Sequence, residues 1–523
     1  MSRLLLIVLF MVWMAGPPGP RSGGDVWPDL TLFFSLYALL VLLLGLWSRL
    51  LARRVAVHSF HRSLRRFNQV MFAARVVVPG WFAVGVWYLG WGALIAGLRP
   101  GLYHNSLGLL LGTAPAFAAW MGLWWSQYPA DRALREQNIL TDLESGLPLY
   151  QPPPFRSYFL TNLRLQVLFT MVPVLMIVMG RDLLLWIAGH WMTPSADRQA
   201  SQTMETAALM TAAVCVFLFS PALLRRVLKT SRLPGGPLRE RLDALCERAG
   251  VRYRQILVWH THNHVGNAAV MGVLPWVRYV LLSDVLLERM KDEEIEAVFA
   301  HELGHIVHRH MTWYAVFFVM LLLLAGVAVK FGGNIIPALN DQSGTAGLLM
   351  LLGMMAVFLL LFGALSRRCE RQADVFAART MESLKREEPV VSEALMSARQ
   401  LVTVGAGPLA PPRGSEESYV GRYGAWLFAS ALRRVAAINN ISILPRGESE
   451  PGAWNRAAHW LDGMVETANN WLHGSIASRM QYLQDLSADP RLTGRFDRAM
   501  FWLYCGLLLA LFTSVACAFA GPL

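Results

Sequence analysis

Residues Glu294 to His310 read EIEAVFAHELGHIVHRH, and the fold turns on what this stretch can bind. His301 and His305 are four residues apart. On a helix both imidazoles therefore leave one face, a turn apart, and can reach a single metal ion. Glu302 points about 100° round the helix, beside such an ion rather than onto it. From there it can take a proton from zinc-bound water and pass it to a leaving amine. The flanks agree: Asp292, Glu293 and Glu294 suit a helix N-terminus, and Ile295, Val298, Phe299 and Leu303 form an apolar stripe.

A catalytic zinc needs three protein ligands and one open position. His308 shares the stripe of His301 but sits about 10 Å further along the axis, too far for bonds near 2 Å from one straight helix. Met311 stands where a metzincin carries its third histidine. His308 and His310 therefore read as interfacial residues where a helix enters the membrane. Glu370, in SRRCERQADVFAART, is the better candidate, because Glu370 and Asp374 again share one helical face. One carboxylate can bind zinc while the other holds a ligand's second ring nitrogen. The alternative is a solvated face paired with Arg367, Arg368 and Arg371.

The intervening sequence favours the metal. Met311 to Phe331 and Thr345 to Leu365 are apolar stretches, each of about 20 residues and long enough to cross a bilayer. The loop GGNIIPALNDQSG separates them. Two crossings make a hairpin, which returns Glu370 to the side that carries His301 and His305.

Upstream, Gln255 to Trp259, Asn267 to Gly272 and Tyr279 to Leu282 read as short strands bounded by turn residues. An exposed edge there could hold a peptide extended through main-chain hydrogen bonds, with the Asn267 amide adding a contact. The alternative is a small sheet that only packs on the motif helix. His260, His262 and His264 share a strand face and could form a second metal site, although no acidic residue interleaves them.

HELGH, the two-span hairpin and Glu370-Arg-Gln-Ala-Asp374 together resemble the membrane zinc metallopeptidases that include the CAAX prenyl protease and the HtpX heat-shock protease. Two further stretches are similar: NAAVMGVLPWVRYVLLSDVLL, opening with Asn267 and Ala268, and WLHGSIASRM, with His473 and Arg479. Gly474 replaces the family's usual proline. The resemblance runs from about Leu233 to Leu483, with the middle of 381–470 unmatched. It implies one zinc per chain, held by His301, His305 and Glu370, with Glu302 as the base. Asp374 and Arg479 would support the ligands from behind, and His473 would stabilise the oxyanion. Asn267 and Ala268 would begin the substrate-binding strand.

The 523 residues are 55% hydrophobic and only 16% charged, with 19 Trp, a membrane-protein composition. Besides the hairpin, spans are expected near 29–49, 71–97, 106–126, 165–190, 204–224 and 498–520. Five long spans before HELGH lie closer to the prenyl protease than to the smaller heat-shock protease, and the span at 498–520 departs from both. The net charge of +12 does not point to nucleic acid, because its cationic residues cluster after spans, at Arg49 to Arg66 and Arg225 to Arg232. Such clusters mark cytoplasmic ends and set 50–70, 127–164, 225–310 and 366–497 inside. The zinc site is then cytoplasmic, in a bacterial inner membrane rather than the endoplasmic reticulum. Five cysteines make no disulfide framework. Arg181-Asp182 reads as a paired intramembrane charge or the outer end of a span.

The expected fold is a polytopic α-helical membrane protein with a gluzincin-like α+β peptidase domain, an active-site helix plus a small sheet. Its parts are 1–28, a signal-like segment or short anchor; 29–232, a membrane domain; 233–310, the substrate strand and HELGH helix; and 311–365, the hairpin. After these come 366–497, with the third ligand and a helical cap within 381–470, and the C-terminal span at 498–520. The expected activity is zinc-dependent endopeptidase hydrolysis of membrane-associated or unfolded proteins, with the bilayer as the other partner. The alternatives are a sensor-type regulatory metalloprotease and a non-catalytic scaffold with a structural metal.

Overall fold

The computed structural model describes residues 2–14, 26–55, 60–99, 101–144, 152–191, 198–261, 265–335, 344–387, 420–439, 441 and 471–519. Those up to Thr230 form one compact unit. Those from Ser231 onward form another, apart from the first turn of one helix at 344–348.

The first unit is all helical. Its elements are α1 (Ser2–Met14), α2 (Trp27–Val55), α3 (Phe60–Trp87), α4 (Trp91–Leu98), α5 (Ser106–Glu144), α6 (Phe155–Asn162), α7 (Phe169–Trp191) and α8 (Arg198–Val227). A π-helical turn at Leu163–Leu168 joins α6 to α7. Leu6, Leu9 and Trp13 of α1 are buried, and Trp13 stacks on Tyr103 with centroids 4.0 Å apart. Their polar atoms are exchanged with backbone: Trp13 Nε1–H donates to the Tyr103 carbonyl, and the Tyr103 hydroxyl donates to that of Trp13. This pairing lets two amphipathic rings enter an apolar core without an unmet donor.

The span expected at 71–97 is not one helix. It ends at Trp87, and Gly90, with φ +80°, turns the chain into the short α4. A left-handed residue cannot continue a right-handed helix, and glycine takes that conformation without Cβ strain. Arg181 and Asp182 are paired with each other, and Arg181 donates to the His104 carbonyl. Asp182 also accepts from the Ser106 N–H at 2.8 Å, a carboxylate at the N-terminus of α5.

The second unit opens with a mixed four-stranded sheet of order β1-β2-β4-β3: β1 (Thr230–Arg232), β2 (Gln255–Trp259), β3 (Ala268–Met271) and β4 (Tyr279–Ser283). α9 (Pro237–Arg248) separates β1 from β2; β2 runs parallel to β4, whereas β3, between them in sequence, is antiparallel to β4 and forms an edge. The strands expected from turn residues and β-branched runs are all present. After them come α10 (Asp284–Arg289), α11 (Asp292–Val307), α12 (His310–Ile335), α13 (Gly344–Glu387), α14 (Arg422–Ile438), α15 (Ile476–Ala488) and α16 (Pro490–Phe519). One core joins sheet and helices through Val280, Leu282, Phe299, Leu303, Val375 and Phe428. A second joins α12, α13 and α16 through Phe317, Met320, Leu365 and Cys369, with Leu503 and Leu507 against them.

Among the described residues, seven helices are long and apolar enough to cross a membrane: Trp27–Arg54, Arg66–Trp87, Ser106–Glu136, Phe155–Trp191, Thr203–Val227, His310–Val327 and Pro490–Cys517. The eighth expected span, 345–365, is the N-terminal part of α13. The chain is a multi-pass membrane protein, largely helical, with one small mixed sheet. Of the expected helical cap, α14 is observed; 388–419 and 442–470 lie outside the described residues, as do His262 and His264.

Candidate metal centre

α11 carries the motif as its periodicity requires. The Lys291 N–H donates to the Glu294 carboxylate at 3.3 Å, closing the first turn, and Ile295, Phe299 and Leu303 are buried against the sheet. His301 and His305 then share one face, with their Nε2 atoms 3.2 Å apart.

Glu370 reaches them because α11 and α13 approach closely. A Cβ on Gly304 would lie 3.0 Å from Ala373 Cα, so the glycine of HELGH and an alanine of α13 set the spacing. The Glu370 carboxylate is 4% exposed, its two oxygens 3.6 Å from His301 Nε2 and from His305 Nε2. Arg367, Arg368 and Arg371 face outward instead. The solvated-face reading of this helix is thus set aside by burial: Glu370 and Asp374 line the inside of α13, and the arginines the outside.

His301, His305 and Glu370 are the one metal-competent group found among the described residues. Donor separations of 3.2 and 3.6 Å suit three ligands about 2 Å from a shared tetrahedral ion, near 3.3 Å apart. Two imidazoles and a carboxylate are a catalytic zinc set, and among the described residues no fourth protein donor joins them. The residues present fit zinc.

Each ligand is backed. His301 Nδ1 faces Asp374 Oδ1 at 2.9 Å, and Asp374 accepts two hydrogen bonds from the Arg479 guanidinium. Asp374 is 1% exposed and Arg479 is buried, so this pair is satisfied inside the protein rather than solvated. Phe428 of α14 stacks on the His301 ring, 5.6 Å between centroids. His473 Nδ1 is 2.9 Å from Glu370 Oε1, with the side chain 61% exposed. Gly474 beside it has φ +72°, a left-handed conformation that proline cannot adopt.

His310 differs from expectation. α11 ends at Val307, and Arg309 takes φ +53°, so α12 starts afresh at His310. Its ring swings back, fully buried, with Nδ1 2.8 Å from His305 Nδ1 and Nε2 3.0 Å from Gln372 Oε1. The Tyr504 hydroxyl donates to the same Gln372 oxygen at 2.7 Å. His308 does stay near the surface, edge-on to Phe376. Spacing along one straight helix hid the role of His310, and neither Gln372 nor Tyr504 carries any signal in the sequence.

The electrostatics follow from burial and partners. Burial opposes the charged form of His301, but Asp374 and Glu370 outweigh it and push its pKa up to about 9 without metal. Burial and the neighbouring His301 hold His305 well below its ordinary value. Burial likewise works against the Glu370 carboxylate, yet His301 and His473 draw it well below the usual range. Glu302 goes the other way: burial raises it, only partly countered by His301. Burial and partners thus drive these two carboxylates in opposite directions.

Residues 233–430 match the family model described as peptidase family M48. This stretch is similar to the M48 peptidases. His301, Glu302, His305, Glu370 and Asp374 all fall within it, whereas His473 and Arg479 lie beyond its end. The chain is 32% identical over 158 residues to a protease HtpX homolog of Acidiphilium cryptum, covering 30% of this chain and 53% of that one. It is 32% identical over 162 residues to protease HtpX homolog 2 of Saccharolobus solfataricus, 29% and 48% of the two chains. The match thus spans about half the length of these relatives. The crystal structure of S. mikatae Ste24p aligns with a TM-score of 0.42 at 14% identity, over 86% of this chain and 99% of that one. The M48 match accords with the resemblance to the prenyl protease and HtpX peptidases that the motifs carry.

Proposed function

We propose that this chain is a zinc-dependent membrane endopeptidase that hydrolyses peptide bonds of membrane-associated or unfolded proteins. The observation that carries this reading is the convergence of His301, His305 and Glu370 on one point, with Glu302 beside that donor set and not in it. A scaffold with a structural metal would close its ion with four protein ligands. Bound there, one zinc per chain supplies a Lewis acid for water and for the scissile carbonyl.

The remaining work falls to this chain's residues. Glu302, its carboxyl raised by burial, takes the proton of the attacking water and delivers it to the leaving nitrogen. His473 faces Glu370 through Nδ1 at 2.9 Å, and donation from its other nitrogen to the developing oxyanion requires both ring nitrogens to carry hydrogen. Asp374, locked by Arg479, keeps the His301 Nδ1–H and so leaves Nε2 bare. The outer side of the edge strand β3 binds the substrate in extended form, with the exposed Asn267 at its start and the buried Ala268 behind it. The arginine clusters after the spans support a cytoplasmic site, and the similarity to a bacterial HtpX homolog favours a bacterial inner membrane.

Casein cleavage and zinc content of the purified protein test the reading together. Zinc near one per chain with cleavage abolished by a chelator is expected. A protein that keeps zinc and cleaves neither casein nor any unfolded membrane protein would favour the scaffold.

A further inference from the structure

Resting on that reading of the metal centre, we infer that His310, Gln372 and Tyr504 form a positioning chain for His305. The chain ties the metal ligand to the C-terminal membrane helix. His305 Nδ1, His310 Nδ1, His310 Nε2, Gln372 Oε1 and the Tyr504 hydroxyl follow one another at 2.8, 3.0 and 2.7 Å.

The direction of the bonds can be worked out from the acceptor end. An amide oxygen only accepts, so His310 Nε2 carries the hydrogen and donates to Gln372. In a neutral imidazole the other nitrogen is then an acceptor, so His310 Nδ1 has a bare lone pair. The hydrogen between the two rings must come from His305 Nδ1. His305 Nε2 is therefore left without a hydrogen, aimed at His301 Nε2 and the Glu370 carboxylate. Only that tautomer can bind a metal through Nε2. The three residues thus do for His305 what Asp374 and Arg479 do for His301.

The elements that supply the chain give it a second consequence. His310 opens α12, Gln372 sits on α13 two residues after Glu370, and Tyr504 belongs to α16. Trp313 of α12 stacks on Tyr504, 4.2 Å between centroids at 15°, which fixes the phenol ring where its hydroxyl meets Gln372. Without α16, Gln372 loses the partner that holds its oxygen toward His310. The last membrane helix, the span that departs from the resembled proteases, is thereby part of the ligand's support.

The test is zinc affinity by chelator competition on the full-length protein in detergent, with activity measured separately at saturating zinc. His310→Ala and Gln372→Leu are expected to weaken zinc binding about 10- to 100-fold, the size of other losses behind a metal ligand. Gln372→Glu keeps an acceptor oxygen and should stay within a few-fold of wild type. Tyr504→Phe should give a smaller loss in the same direction, while Trp502→Ala, exposed on the same helix, changes nothing. Thermal melting of the zinc-free proteins separates misfolding from lost positioning: a variant that melts with wild type yet binds zinc weakly supports the chain. Wild-type affinity in both His310→Ala and Gln372→Leu overturns it. Failure of wild type itself to bind zinc would instead overturn the metal centre.

Discussion

His301 Nδ1 lies 2.9 Å from Asp374 Oδ1, and this contact orients the first ligand before any metal arrives. Asp374 is held in turn by two hydrogen bonds from Arg479, which enters from α15, more than a hundred residues along the chain. A carboxylate fixed in this way accepts the ring hydrogen and cannot rotate off to another partner. The ring is thus held facing the donor set, and because Asp374 and Glu370 raise its pKa to about 9, metal binding displaces a proton from it at neutral pH.

Removing the base should separate binding from turnover. Glu302→Gln keeps the shape of the side chain and the three donors, so zinc stoichiometry should equal wild type. Peptide hydrolysis should fall by at least about 10²- to 10⁴-fold, the usual size of general-base catalysis. Metal analysis beside a peptide assay checks both, and retained turnover would falsify the role of Glu302.

Glu370 and Asp374 should differ in degree. Glu370→Ala removes a donor and leaves buried His301 and Arg479 facing an empty position, so metal affinity should collapse. Asp374→Asn only weakens the support and should cost about 10- to 100-fold. Competition with a fluorescent chelator ranks the two. Equal affinity for Glu370→Ala and wild type would exclude this carboxylate as a ligand.

Gly304 sets the distance between the two ligand-bearing helices. Gly304→Ala puts a Cβ 3.0 Å from Ala373 Cα, and Gly304→Val adds two more methyl groups. Overpacking of this kind costs about 1–3 kcal/mol and here also pushes α13 away from α11. Zinc affinity should fall in the order glycine, alanine, valine. Equal affinities across the series would mean that the helices do not need this approach.

Topology follows from the arginine clusters. Reporter fusions after residues 66, 232 and 440 should read cytoplasmic, and one after 338 external. An external signal at 440 alone would contradict the hairpin, because Glu370 would then lie across the membrane from His301.

Substrate delivery should matter. α12 begins three residues after α11 ends, and the apolar part of α13 stops a few residues before Glu370, so the centre sits next to the bilayer by helix rise alone. One peptide sequence presented free, lipidated and fused to a transmembrane helix in liposomes should be cut fastest in the membrane-bound forms. Equal rates for the free peptide, or for a folded soluble protein carrying it, would remove the preference.

The sequence by itself determined whatever depends on local spacing. The i and i+4 histidines, the second pair at Glu370 and Asp374, the three core strands and most of the spans could all be read from it, because helical and strand periods act over a few residues. Even the meeting of α11 and α13 was implied, since two crossings must return the chain to one side. Tertiary structure alone decided which atoms back the ligands. Arg479 grips Asp374 and His473 meets Glu370 across loops whose geometry no period encodes. The helix break at Arg309 turned His310 from an apparent surface residue into the partner of His305, and one positive φ is invisible to any pattern of apolar spacing. Gln372 and Tyr504 look ordinary in the chain because their role exists only once α12, α13 and α16 are packed together, and packing partners far apart in sequence leave no local trace.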